Sequence, residues 1–184
     1  MKKKMSVSEL KKKMSEMDKK DMEKLLCLLY KNCDMAEKII NLHFLDETYE
    51  DSLLEEYKEK MYDRFFPRDI VRVGFSLSWA KSVLTEFRKI CQKEELLLDL
   101  KLYYVECGTE FTNTYGDIDM KFYNSLCSVY HGVTEAVSNC PTDQLYRRFG
   151  ERLERLVSDS DGIGWGFHDF IEQEYYEIPW VEEE

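Results

Sequence analysis

Apolar residues recur along this chain at helical spacing almost from end to end. Met22, Leu25, Leu26 and Leu29 stand at i, i+3, i+4 and i+7, positions that share one face of a helix. The same spacing selects Ala36, Ile39, Ile40, His43 and Phe44 in a helix from about Asp34. Leu53, Leu54, Tyr57, Met61 and Phe65 mark a longer one, from about Thr48 to Phe65. Further stripes follow: Leu77, Ala80, Leu84, Phe87 and Cys91, then a helix from about Lys93 to Cys107, then Phe122, Leu126, Val129, Val133 and Val137. Leu145, Phe149, Leu153 and Leu156 face inward on the next, and Phe167, Phe170, Ile171 and Tyr175 on the last. On this pattern His43 is a hydrogen-bonded histidine of the core.

Start and stop residues sharpen the boundaries. Ser6 and Glu9 have the spacing of a capping box, opening a short first helix that ends near Met17. Asp18 and Asp119 can cap the helices that follow them. Pro67 stops one helix, leaving "FPRDIVRVGFS" as a loop with a short extended piece. Gly108 is placed to end another as a C′ residue, Pro141 begins one, and Pro179 ends the last. Helices of ~12–20 residues with short connections pack as antiparallel neighbours. The expected fold is therefore all-α: about nine helices in stacked antiparallel hairpins, a HEAT/armadillo-like right-handed superhelix rather than a globin-type core. Residues 1–184 read as a single helical domain, with 66–76 the best place for a boundary between sub-lobes.

Composition agrees with this class. The 184 residues suit one domain, and 43% hydrophobic with 34% charged residues argues against disorder. Three prolines and eight glycines are too few for a turn-rich β-sandwich. The net charge of −11 is uneven: residues 1–20 carry eight Lys against three acids, and the rest carries 18 basic against 34 acidic residues. An acidic body argues against nucleic-acid binding, which needs cations to displace phosphate counterions. The N-terminal lysines read as a solvated helix face. The distribution also permits the basic N-terminus of one copy to meet the acidic tail of another. Six scattered cysteines without a CxxC, no signal-peptide pattern and no 18-residue apolar run predict a cytoplasmic chain with reduced thiols and no membrane span.

Candidate chemistry concentrates in "DSDGIGWGFHDF", which holds three of the glycines. Gly162, Gly164 and Gly166 make GxGxG, not the dinucleotide GxGxxG, and no strand precedes them. Aligning Gly162 to the sixth position of an EF-hand loop puts Val157 first and His168 twelfth, where carboxylates are needed. What remains is a glycine-allowed turn opening onto a helix N-terminus. "YGDID" places Asp117 and Asp119 at another helix start. If the two segments meet, Tyr115, Asp117, Asp119, Tyr123, Gly162, Gly164, Trp165, His168 and Asp169 form the base and rim of one site. Trp165 is expected to be largely buried against "TEFTNTYGDID", with two or more glycines at positive φ. Cys127 and His131 stand at i, i+4 but supply only two ligands, so no metal centre is expected. No Ser/His/Asp or Cys/His arrangement supports nucleophilic catalysis, and no cofactor is implied.

Three stretches, "LYYVECGTEFTNTYGDIDMKFYNSL", "SDGIGWGFHD" and "SELKKKMSEMDKKDMEKLLCLLYKN", resemble a family of small, mostly bacterial, all-helical proteins known only as a domain of unknown function. The resemblance implies a helical bacterial module and transfers no catalytic residue. Two functional expectations stand. One is a non-enzymatic helical-repeat interaction or scaffold module with a protein partner. The alternative is a small-anion, nucleotide or divalent-metal binding protein, with hydrolysis as a variant, using a pocket between "YGDID" and "GIGWGFHD". Oligomeric state is left open.

Overall fold

The computed structural model describes residues 4–181, so Lys2, Lys3 and the last three glutamates of the acidic tail lie outside the described residues. The chain is all-helical: α1 (Val7–Ser15), α2 (Lys19–Asn32), α3 (Asp34–Phe44), α4 (Glu47–Phe65), α5 (Ile70–Val73), α6 (Leu77–Ile90), α7 (Glu94–Tyr115), α8 (Met120–Ser138), α9 (Gln144–Asp159) and α10 (Phe167–Tyr176). No strand occurs among the described residues. The chain falls into two compact units, Met1–Tyr49 and Glu50–Glu184.

The first unit is built from well-capped helices. Ser6 Oγ accepts from the Glu9 amide at 3.2 Å while Glu9 Oε2 accepts from the Ser6 amide at 2.8 Å, completing the capping box. Asp18 caps α2 through the Asp21 amide at 2.9 Å. Only Cys33 separates α2 from α3, so the two helices lie against each other, and Tyr30 donates to Asn41 Oδ1 at 3.1 Å across them. The packing stops there. No residue of α1, α2 or α3 is buried, although α2 and α3 carry the apolar stripes that the sequence predicts. His43 is likewise exposed, with its ring edge against Phe44, not a core histidine. The reason is geometric: α2 and α3 pack on each other, and in a two-helix hairpin each helix covers one side of the other.

The second unit has a closed core. α7 packs against α6, α8 and α9, and α10 packs against α8 and α9, so α7, α8, α10 and α9 form a ring of contacts. α7 is buried on most of its circumference, through Leu98, Leu100, Leu102, Tyr104, Val105 and Phe111, as a central helix must be. The all-helical class is as the sequence reads. The contacts do not establish a superhelix, because contacts of α7 with α9 and of α8 with α10 occur both in stacked hairpins and in a closed bundle.

Two boundaries move. α7 does not end at Gly108 but continues to Tyr115, and the stop falls at Gly116, whose φ is +88°. Gly108 serves packing instead: a Cβ there would sit 2.4 Å from Leu126 Cδ2, so its absence lets α8 lie close on α7. Residues 66–76 hold a single helical turn, α5, in place of the expected extended piece. Asp69 Oδ1 caps that turn at the Arg72 amide, and Phe75 then inserts beside Phe111 with ring centroids 4.5 Å apart. The segment therefore lies inside the second unit.

Candidate functional site

The segments around "YGDID" and "GIGWGFHD" do meet. Tyr123, buried on α8, donates its hydroxyl to Asp117 Oδ1 at 2.8 Å and lies 3.2 Å from Thr112 Oγ1 of α7. Burial pushes the Tyr123 phenol above its ordinary range, so it remains a donor at neutral pH. Asn113 Nδ2 donates to the Asp159 carbonyl at 2.8 Å, tying the end of α7 to the end of α9. A Cβ on Gly164 would stand 3.5 Å from Asp117 Oδ2, which places the glycine turn directly beside that carboxylate. Gly162 and Gly166 hold φ of +76° and +70°, as a glycine-allowed turn requires.

Trp165 is the correction. It is 55% exposed and itself sits at φ +62°, with its ring stacked on Tyr123 at 6.4 Å and 22° between planes. Ile163 and Phe167 occupy the interior on either side of it, Phe167 with its ring 5.4 Å from Tyr123. The turn thus sends residues 163 and 167 inward and 165 outward.

The other named groups are engaged locally. Asp119 Oδ1 accepts from the Phe122 amide at 2.8 Å as the cap of α8. Ser160 Oγ lies 2.9 Å from the Val157 carbonyl and 3.0 Å from His168 Nδ1, so serine and histidine are hydrogen-bonded within their own turn. Asp169 is exposed in the first turn of α10, and Tyr115 is half exposed at the end of α7. Among the described residues, no group of three or more His, Cys, Asp or Glu could hold a metal ion. The structure unites Asp117, Tyr123, Gly164 and Trp165, while Asp119 and His168 serve their own turns.

Two further places gather polar side chains. His131 Nδ1 meets Glu174 Oε2 at 2.9 Å, and Thr134 Oγ1 donates to the same oxygen at 2.6 Å, linking α8 to α10. The hydrogen bond and charge of Glu174 raise the His131 pKa. Burial pushes the Cys127 thiol up to about 11, so it is a thiol and not a nucleophile at neutral pH. A broad cleft of about 1190 Å³, lined by α4, α7 and α9 side chains including Tyr62, Tyr103, Glu110 and Arg155, reaches Asn113 and Asp159 at the edge of the meeting between the two segments. Within it, Arg152 forks onto Glu106 at 2.7 and 2.8 Å and reaches Asp99 at 2.8 Å, and Lys58 reaches Asp99 at 3.1 Å. Burial alone would discourage the Arg152 charge, but the two carboxylates outweigh it and hold the guanidinium protonated. These charges answer one another.

The feature that sequence reasoning missed lies on the first unit. Residues 25–30, "LLCLLY", are all exposed, Leu28 at 60%. Six consecutive apolar positions wrap the whole circumference of α2, yet its hairpin partner covers one side. Met35, Ile39 and Phe44 of α3, with Leu45 after it, extend the surface, Phe44 at 76% exposure. Contiguous apolar patches beyond a few hundred Å² are rare on monomeric proteins. The stripe of Met22, Leu25, Leu26 and Leu29 was visible in the sequence, but Leu28 and Tyr30 fall off it. That excess over a single face was the available signal.

Comparison with known proteins adds one match. A family model described as a family of unknown function, DUF6155, matches residues 5–173. No curated protein matches the chain, and no solved structure does.

Proposed function

This chain belongs to DUF6155, a family of unknown function, and from that premise we propose that it is a non-enzymatic interaction module that docks a protein partner on α2 and α3. One observation carries the reading: α1–α3 bury no residue, while Leu25, Leu26, Leu28, Leu29, Ile39 and Phe44 stand exposed together. Covering a Leu, Ile or Phe side chain contributes about 1.5–3 kcal/mol, so an uncovered hairpin of this kind is a strong driver of association. Short helices also draw most of their stability from packing an apolar face, which gives the hairpin itself a stake in being covered. Protein, rather than nucleic acid, suits the chain's net charge of −11. A cytoplasmic setting is supported by six free cysteines, the state a reducing compartment maintains. Among the described residues, no helix is long and apolar enough to cross a membrane. The alternative pocket for a small anion, a nucleotide or a divalent metal at the Trp165 turn is the weaker reading, because Asp117, Asp161 and Asp169 belong to the same two segments and repel negative charge, and among the described residues no group of three or more His, Cys, Asp or Glu is placed to hold a metal ion.

A photoreactive benzophenone side chain placed at position 28, in the native cell, tests the reading. The expected result is a covalent protein adduct from position 28 and none from position 147, a charged and exposed site on α9. Equal labelling at both positions, or none at either, overturns it.

A further inference from the structure

We propose that the partner covering α2 and α3 is a second copy of this chain, the two hairpins meeting about a twofold axis as a four-helix bundle. This rests on the reading of that surface as a docking site. Residues 50–184 carry 15 basic and 28 acidic residues, a net of −13, whereas residues 1–49 carry 11 lysines against nine acids, a net of +2. Two copies that approach through the acidic unit repel each other. Residues 1–49 are the part of the chain through which copies can meet without like charge opposing them.

A twofold contact pairs a surface with itself, so its rim must contain both signs in near balance. α2 and α3 meet this condition: Lys19, Lys20, Lys24, Lys31 and Lys38 alternate with Asp21, Glu23, Asp34 and Glu37. An anionic membrane or a nucleic acid would meet four carboxylates in the same strip, and a strongly acidic partner would gain little from it.

Leu25, Leu26, Leu28, Leu29, Tyr30, Met35, Ile39 and Phe44 of this hairpin are each more than a third exposed, a supply of apolar surface for an interface of the standard ~800 Å² per partner. A helix apolar around its circumference needs neighbours on more than one side. One hairpin supplies one neighbour, and a second hairpin supplies the rest, which is the arrangement of an antiparallel four-helix bundle.

Light scattering of the full chain, from about 1 to 100 µM so as to bracket a micromolar Kd, tests the proposal. The expected mass rises from one chain to two with concentration. Raising salt to about 1 M leaves the dimer as tight or tighter, because screening relieves repulsion between acidic units while the apolar contact persists. Leu28→Glu and Phe44→Glu, both at exposed positions, remain monomeric at every concentration with unchanged melting of the rest of the chain. A wild-type chain that stays monomeric throughout overturns the second copy; if position 28 still crosslinks to a different protein, the docking reading stands alone. A dimer that survives in both variants places the contact elsewhere and overturns the proposal. So does a monomeric wild type that binds phosphatidylserine vesicles through α2 and α3.

Discussion

Trp165 sits in a backbone region that an L-residue enters at a cost of roughly 1–2 kcal/mol, and glycine enters freely. Its stack on Tyr123 returns about 0.5–1.5 kcal/mol, and the indole is otherwise in water. Trp165→Ala loses the stack and keeps the strain, while Trp165→Gly loses the stack and releases it. Thermal unfolding should therefore rank the Gly variant level with or above the Ala variant, with both within about 1–2 kcal/mol of wild type. A loss of 3 kcal/mol or more for Trp165→Ala would mean the ring is buried after all. The sequence signalled this turn and its contact with "YGDID", since glycines flanked by aspartates leave few other structures. It could not signal which of Ile163, Trp165 and Phe167 points out, because that depends on how Tyr123 and Phe167 fill the space beneath. Glycine carries the same ambiguity. Gly108 and Gly116 look alike in the sequence, but one admits Leu126 and the other turns the chain at φ +88°.

Individual helices were legible because their determinants are local. Capping at Ser6, Asp18 and Asp119, and the stripes of α4, α6 and α8, require only neighbours within four residues. What covers a stripe is not local, and there α2 and α3 departed from expectation. Between elements the most exacting contact is the fork of Arg152 on α9 against Glu106 and Asp99 on α7, with Lys58 of α4 joining at Asp99. Arg152→Met keeps the volume and leaves the buried Asp99 and the half-buried Glu106 with their partner gone. It should destabilise the second unit by about 2–4 kcal/mol, somewhat below the cost of breaking a fully buried pair, because Lys58 still answers Asp99. Arg152→Lys should recover only part of the loss, since one ammonium cannot reproduce the fork. Denaturant melts of the two variants measure this. Unchanged midpoints would show the network to be a solvated surface arrangement.

Across the whole molecule, burial and charge divide at the same place. Helices α6–α10 close a core around α7 and residues 50–184 carry the acidic charge, while α1, α2 and α3 bury no residue and residues 1–49 are close to neutral. Composition announced a well-supplied core and an uneven charge, and both are present, but averaged over the chain they concealed a hairpin with its apolar residues uncovered. Hydrogen exchange of the α2 and α3 amides as a function of protein concentration tests the resulting account most directly, because protection there reports the covering itself. The account predicts that amides of residues 22–30 and 35–44 slow several-fold as concentration rises through the dimer range, and that Leu28→Glu abolishes the change. Exchange at these amides that is independent of concentration and identical in the wild type and Leu28→Glu would contradict it.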